Sequence, residues 1–161
     1  NFARGGIVDG KAVVESLDAG HLHAYVCDFP TNALKDHPRV VTLPHLGAST
    51  GEAEENCAVM AVEQLKDFLE NGNARNSVNF PEAVMPRVPG TTRLVIANSN
   101  VPNMVGQIST RLAADGVNIA DLLNKSRGEV AYTIIDADGS VPAGTLASIR
   151  AIQGVLSARL L

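Results

Sequence analysis

"RLVIANSNVPNMVGQISTRLAADGVNIADLLNKSRGEVAYTIIDA", residues 93–137, decides the architecture of this chain. "RLVIAN" (93–98) is a short apolar run of strand length. "NMVGQISTRLAADG" (103–116) places Met104, Val105, Ile108 and Leu112 on one helical face and stops at Gly116. "VNIADLLNKS" (117–126) and "EVAYTIIDA" (129–137) read as strands joined at Arg127-Gly128, a tight hairpin signal. Beyond them, "AGTLASIRAI" (143–152) predicts a helix, Gly154 breaks it, and "VLSARLL" (155–161) supplies a last strand. The order βαββαβ predicts a ferredoxin-like unit, one antiparallel sheet with two helices on one face. A unit of about 70 residues is near the lower limit for an independent core, and its open sheet edge invites a second copy.

On the N-terminal side, "RNSVNFPEAVMPRVPGT" (75–91) has three prolines and no periodicity, and reads as a semi-rigid linker. Before it, "HLGASTGEAEENCAVMAVEQLKDFLENG" (45–72) is the strongest helix signal in the chain. Ser49 and Glu52 have capping-box spacing, Ala53, Cys57, Met60, Ala61, Val62, Leu65 and Phe68 recur at helical intervals, and Gly72 closes the run. "LHAYVCDF" (22–29) and "VVTL" (40–43) read as buried strands, the second ended by Pro44. Asp9 caps a helix expected to run to Ala19, with Val13, Val14 and Leu17 inward and Gly20 as its stop. The fold class expected is α/β: a partial Rossmann-type parallel sheet in 1–74, the linker 75–91, and the βαββαβ domain in 92–161.

With 161 residues, 45% hydrophobic and 19% charged, the composition is that of a globular protein and not of a disordered one. A net charge of −4 and 4% aromatic residues argue against a nucleic-acid or membrane partner. Cys27 and Cys57 are too few for a disulfide framework or a metal cluster, so reduced thiols in a cytoplasmic protein and no metal are expected.

Chemistry concentrates near the N-terminus. Arg4 follows a strand end, beside Gly5-Gly6, and a guanidinium there suits a small carboxylate. His45 follows a strand and precedes a helix start, at the strand ends where ligands gather in open α/β sheets, and imidazole is suited to proton transfer. Taken singly, each also reads as a structural residue: a turn arginine and a hydrogen-bonded histidine.

Together, "NFARGGIVD" (1–9), "AYVCDFPTN" (24–32) and "HPRVVTLPHLGAST" (37–50) resemble the closing motifs of the D-2-hydroxyacid dehydrogenase family. The resemblance continues through "NSVNFP" (76–81), and the C-terminal unit resembles an ACT domain. It implies an NAD-dependent oxidation of the 2-hydroxyl of 3-phosphoglycerate, feeding serine synthesis, with Arg4 on the carboxylate and His45 taking the proton. It further implies a cofactor side lined by Phe2, Ala3, Arg4, His45, Leu46, Gly47 and Ala48. The acid for the cofactor's carboxamide maps to Asp28, or to Cys27 if no residue is deleted beside it; Asp28 is preferred because an acid accepts that bond.

Two departures from the family pattern stand out. The glutamate that pairs with the histidine falls at Asn32, which orients a ring but carries no charge, leaving Asp28 or Asp36 as other acids. No Gly-x-Gly-x-x-Gly is present, which implies that the chain is a C-terminal piece of a longer enzyme, inactive alone. The ACT resemblance implies binding of L-serine or another amino acid at Asn98, Asn100, Asn118 and Ile119, with Asn98 in place of the usual histidine and Asn103 of the usual glycine. It also implies a homodimer or larger assembly through paired sheets. The alternatives are a standalone ACT amino-acid-binding or dimerisation module and a different ACT-bearing 2-hydroxyacid dehydrogenase; the asparagines, taken singly, also read as residues that cap and turn the chain.

Overall fold

A computed structural model describes all 161 residues, Asn1–Leu161. The chain divides into two compact units, Asn1–Ala58 and Val59–Leu161, and the division falls inside a helix rather than at the proline-rich stretch.

In the first unit, Arg4 precedes a single 3-10 turn, Gly5–Ile7, and helix α1 spans Gly10–Asp18. Asp9 caps α1 as expected, its carboxylate accepting from the Lys11 and Ala12 amides. Leu17 is the side chain that α1 buries completely, and Gly20 ends the turn at φ 77°. The two strands are shorter than their apolar runs: β1 is Tyr25–Cys27 and β2 is Val40–Thr42. They pair in parallel, Tyr25 opposite Val40 and Cys27 opposite Thr42, so the ends of both strands point the same way.

Helix α2 covers Gly51–Asn71. Its cap is Thr50, not Ser49: the Ala53 amide donates to Thr50 Oγ1 at 3.2 Å, while the Ser49 amide turns back to the Leu46 carbonyl. The N-cap therefore moves by one residue and no capping box forms, because Gly51 takes the first helical position and Ala53, at the third, has no side chain to reach back. Thr50→Ala should cost about 1 kcal/mol and speed hydrogen exchange at the Ala53 amide, whereas Ser49→Ala should change neither.

The second unit carries the expected βαββαβ order: β3 (Thr91–Ser99), α3 (Met104–Ala114), β4 (Ile119–Arg127), β5 (Val130–Asp138), α4 (Ala143–Arg150) and β6 (Val155–Leu160). The sheet order is β4-β5-β3-β6, wholly antiparallel. Leu94, Ile96 and Ile135 meet Met104, Ile108, Leu112 and Ile149 on the helix-covered face. The opposite face is not bare. Ala74, Ala83 and Met85 pack on Val95, Tyr132 and Ile134, with Ala74 and Ala83 forming an antiparallel bridge. Residues 75–91 are thus built into this unit rather than spanning a gap as the linker reading expected.

Side chains of the sheet also hold the end of α2. Tyr132 Oη donates to the Gly72 carbonyl at 2.8 Å, Arg93 to that of Asn71 at 2.9 Å, and Arg159 to those of Phe68 and Leu69. These are the orphan acceptors of a helix C-terminus, where positive charge is favoured. Asp67 gathers Asn71, Asn73 and Arg75; burial pushes its carboxyl up, but the three hydrogen bonds and the Arg75 charge outweigh it and lower the pKa. No helix is long and apolar enough to cross a membrane.

Candidate functional site

Parallel pairing of β1 and β2 puts Asp28 and Phe29, just after β1, beside His45, just after β2. His45 Nδ1–H donates to Asp28 Oδ2 at 2.8 Å. A carboxylate only accepts, so this bond places a proton on Nδ1, and in the neutral imidazole it is Nε2 that carries the lone pair. The Asp28 side chain is 8% exposed and that of His45 38%, so the acid is sheltered while the imidazole reaches solvent. Asp28 Oδ1 is buried and has no hydrogen-bond partner.

Arg4 reaches the same place from the N-terminal segment. Its guanidinium carbon lies 5.6 Å from the centroid of the Phe29 ring, and the His45 ring lies 4.4 Å from the same centroid, tilted by 50°. The segment is pinned by Asn1, whose amide nitrogen donates to the Arg4 carbonyl and whose Oδ1 accepts from the Ala3 amide. Gly5 lets it lie close, since a Cβ there would stand 3.3 Å from the Phe29 carbonyl oxygen. An exposed guanidinium and an imidazole thus both approach the same ring, the first a group that can grip a small carboxylate and the second one that can exchange a proton with a hydroxyl.

Asn32 does not join this pair. It is exposed in the turn after Phe29, and Asp28 supplies the acceptor for His45 instead. Phe29, the ring that Arg4 and His45 both approach, was not singled out in the sequence, because an aromatic at a strand end reads as ordinary core. Phe2 is 61% exposed and Leu46, Gly47 and Ala48 lie in the exposed turn after His45, an open rim.

In the second unit the four expected effector residues fall into two groups. Asn98 and Asn100 border a hollow of about 150 Å³ with Asn103, Met104 and Asn124. Asn98 is fully buried, donating to the Ser99 carbonyl, and Asn100 donates to the Gly128 carbonyl. Asn118 and Ile119 line a separate hollow with Ser109 and Thr110, and Asn118 donates to Asp138. The register explains the split: Asn98 lies opposite Ala131, which faces Ser126, whereas Ile119 faces Ala137, which lies opposite Thr92. The two groups occupy opposite ends of the sheet. Asn103 occupies the left-handed region at φ 64°, a conformation that asparagine tolerates better than other non-glycine residues.

Residues 1–47 match the family described as D-isomer specific 2-hydroxyacid dehydrogenase, NAD binding domain. The whole chain resembles the D-3-phosphoglycerate dehydrogenase of Escherichia coli strain K12, at 33% identity over 174 residues, and that of Haemophilus influenzae, at 29% over 172. It spans 42% of the length of each. The ACT domain from the GTP pyrophosphokinase of Chlorobium tepidum overlaps 44% of this chain and 95% of its own, with a TM-score of 0.39 at 15% identity.

Proposed function

We propose that this chain carries the acid–base rim and the effector domain of an NAD-dependent D-2-hydroxyacid dehydrogenase that oxidises D-3-phosphoglycerate. The observation that carries this reading is the Asp28–His45 pair, with Arg4 on the same aromatic ring as the histidine. Arg4 binds the substrate carboxylate through two parallel N–H donors and so turns C2 towards His45. His45 Nε2 takes the hydroxyl proton as the C2–H bond gives up its hydride, leaving a ketone. Asp28 keeps Nδ1 protonated and stabilises the imidazolium that forms.

The residues fit the nicotinamide end of the cofactor. Asp28 Oδ1 is a buried acceptor without a donor, and a primary carboxamide supplies the N–H it lacks. NAD, when bound, supplies the hydride acceptor beside C2. Phe2, Ala3 and Leu46–Ala48 form the side on which the ring would rest, while the phosphate cradle is not among these 161 residues.

For the second unit, the register supports a site completed by a second copy. Antiparallel pairing of β4 edges about a two-fold axis sets the beginning of one β4 beside the end of the other. The partner's Asn118 and the partner's Ile119 then approach the end that carries Asn98 and Asn100. Amides both donate and accept, which suits the ammonium and carboxylate of L-serine together.

The test is NAD reduction by the product of the complete reading frame, supplied with D-3-phosphoglycerate. His45→Gln should lower kcat by about 10²-fold or more with KM little changed, since only the proton transfer is lost. Undiminished turnover in that variant ends the proposal. Calorimetry with millimolar L-serine checks the effector half: no heat from an intact dimer would remove it.

A further inference from the structure

Arg4 and His45 come from segments that do not neighbour each other in sequence, yet a two-point grip on a small acid needs them at a set separation. Nothing bonds one to the other. The Arg4 guanidinium forms no hydrogen bond or ion pair within the chain and rests over the Phe29 ring. The His45 ring meets two consecutive residues, Asp28 through Nδ1 and the Phe29 ring in a tilted arrangement. Phe29 is therefore a side chain that both groups meet.

Its own position is well determined. It follows Asp28 at the end of β1, where the Leu43 amide donates to the Cys27 carbonyl at 2.9 Å and holds the β2 exit against the β1 exit. The Arg4 segment presses on its backbone at Gly5, whose missing Cβ would lie 3.4 Å from Phe29 Cβ. An aromatic face attracts a guanidinium and stacks an imidazole, while an aliphatic side chain of similar bulk does neither in an oriented way.

We infer that Phe29 is a positioning residue, a shared aromatic platform that sets where the Arg4 guanidinium and the His45 imidazole stand for their grip on a 2-hydroxyacid. This rests on the dehydrogenase reading for its substrate but not for its geometry. Asp28 sets which nitrogen of His45 carries the proton; Phe29 sets where the ring and the cation stand.

The experiment compares Phe29→Leu with Phe29→Tyr. In the complete gene product, Phe29→Leu should lower kcat/KM for the 2-hydroxyacid by about 10²-fold, with KM raised and kcat reduced together, because both contacts are displaced. Phe29→Tyr keeps the ring and should stay within about threefold of wild type. On the present chain, NMR should show ring-current displacement of the His45 ring protons and the Arg4 side-chain protons. That displacement should vanish in Phe29→Leu and persist in Phe29→Tyr while both variants stay folded, since Phe29 lies at the edge of the unit and outside its buried core. Retention of kcat/KM in Phe29→Leu, or absence of the ring-current displacement in wild type, overturns the inference. A wild-type protein that oxidises no 2-hydroxyacid would instead overturn the proposed function, and the NMR comparison would then decide the platform alone.

Discussion

Arg93→Met should destabilise the second unit by about 3–5 kcal/mol, the cost of breaking a buried ion pair from one side. Arg93 and Asp136 are both fully buried. The guanidinium donates to Asp136 Oδ1 from Nε at 2.7 Å and to Oδ2 from Nη2 at 2.8 Å. Its remaining donors reach the carbonyls of Asn71, Met85 and Pro86 at 2.9, 2.8 and 3.0 Å. Methionine keeps much of the volume and none of the donors, so three carbonyls lose a partner while Asp136 retains only the Val88 amide. For a unit of this size each kcal/mol moves the thermal midpoint by about 4–8 °C, so the midpoint should fall by well over 10 °C. A loss under about 1 kcal/mol in denaturant titration would show that water replaces the guanidinium, and would refute the prediction.

The same pair sets a pH signature. Burial pushes the Asp136 carboxyl up, but the hydrogen bonds from Arg93 and the Val88 amide, with the Arg93 and Arg87 charges, outweigh it and hold the pKa below its usual 3.8. A folded pKa below the unfolded one contributes stability that is complete above 3.8 and is lost as pH falls through the folded value. In Arg93→Met the balance reverses, because burial acts without its compensating cation. The variant's deficit should then be largest near neutrality and shrink as the pH falls through the carboxylate range. A deficit that stays constant to acid pH would mean that packing, not charge, carries the effect.

None of this pairing was legible from local pattern. Arg93 stood at a predicted strand boundary, where a charged residue reads as the beginning of solvent, and its carboxylate lies 43 positions away. The stretch 75–91 was misread for a related reason. Its prolines mark it as irregular, yet Ala83 and Met85 are spaced like inward strand residues and fill the sheet's second face. By contrast the βαββαβ unit was readable almost throughout. Helical spacing at Met104, Ile108 and Leu112, with left-handed glycines at 116, 128 and 154, reports short-range geometry directly. At the candidate site, His45 followed from the rule that ligands gather at strand ends and does sit after β2, but no strand precedes Arg4, which meets the Phe29 ring from an extended segment ahead of the 3-10 turn. The partner of His45 did not follow, because choosing between Asn32, Asp28 and Asp36 requires knowing which way the chain turns after Phe29. The four expected effector residues do not come together within one chain, because antiparallel register sends them to opposite ends of the sheet.

Gly72→Ala should cost about 3 kcal/mol, more than any other glycine replacement in the second unit. Two penalties coincide there. Gly72 has φ 71°, where a side chain costs about 1–2 kcal/mol. Its added Cβ would also stand 2.4 Å from Val95 Cγ2, an overlap that typically costs about 1–3 kcal/mol to relieve. Val95 is buried in the central strand β3 and cannot retreat, so the backbone at the end of α2 must move instead. That motion strains the bonds that Tyr132 and Arg93 make to the Gly72 and Asn71 carbonyls. Gly90 isolates the first penalty: its φ is 79° and a Cβ there meets nothing within 4 Å. Gly90→Ala should therefore cost about 1 kcal/mol, and the gap between the two variants measures the steric part. Combining Gly72→Ala with Val95→Ala should recover part of that gap in a double-mutant cycle, since the two changes share one contact. Equal costs for Gly72→Ala and Gly90→Ala would mean that β3 yields to the intruding methyl, and that the exit of α2 is not gripped by the sheet as its hydrogen bonds imply.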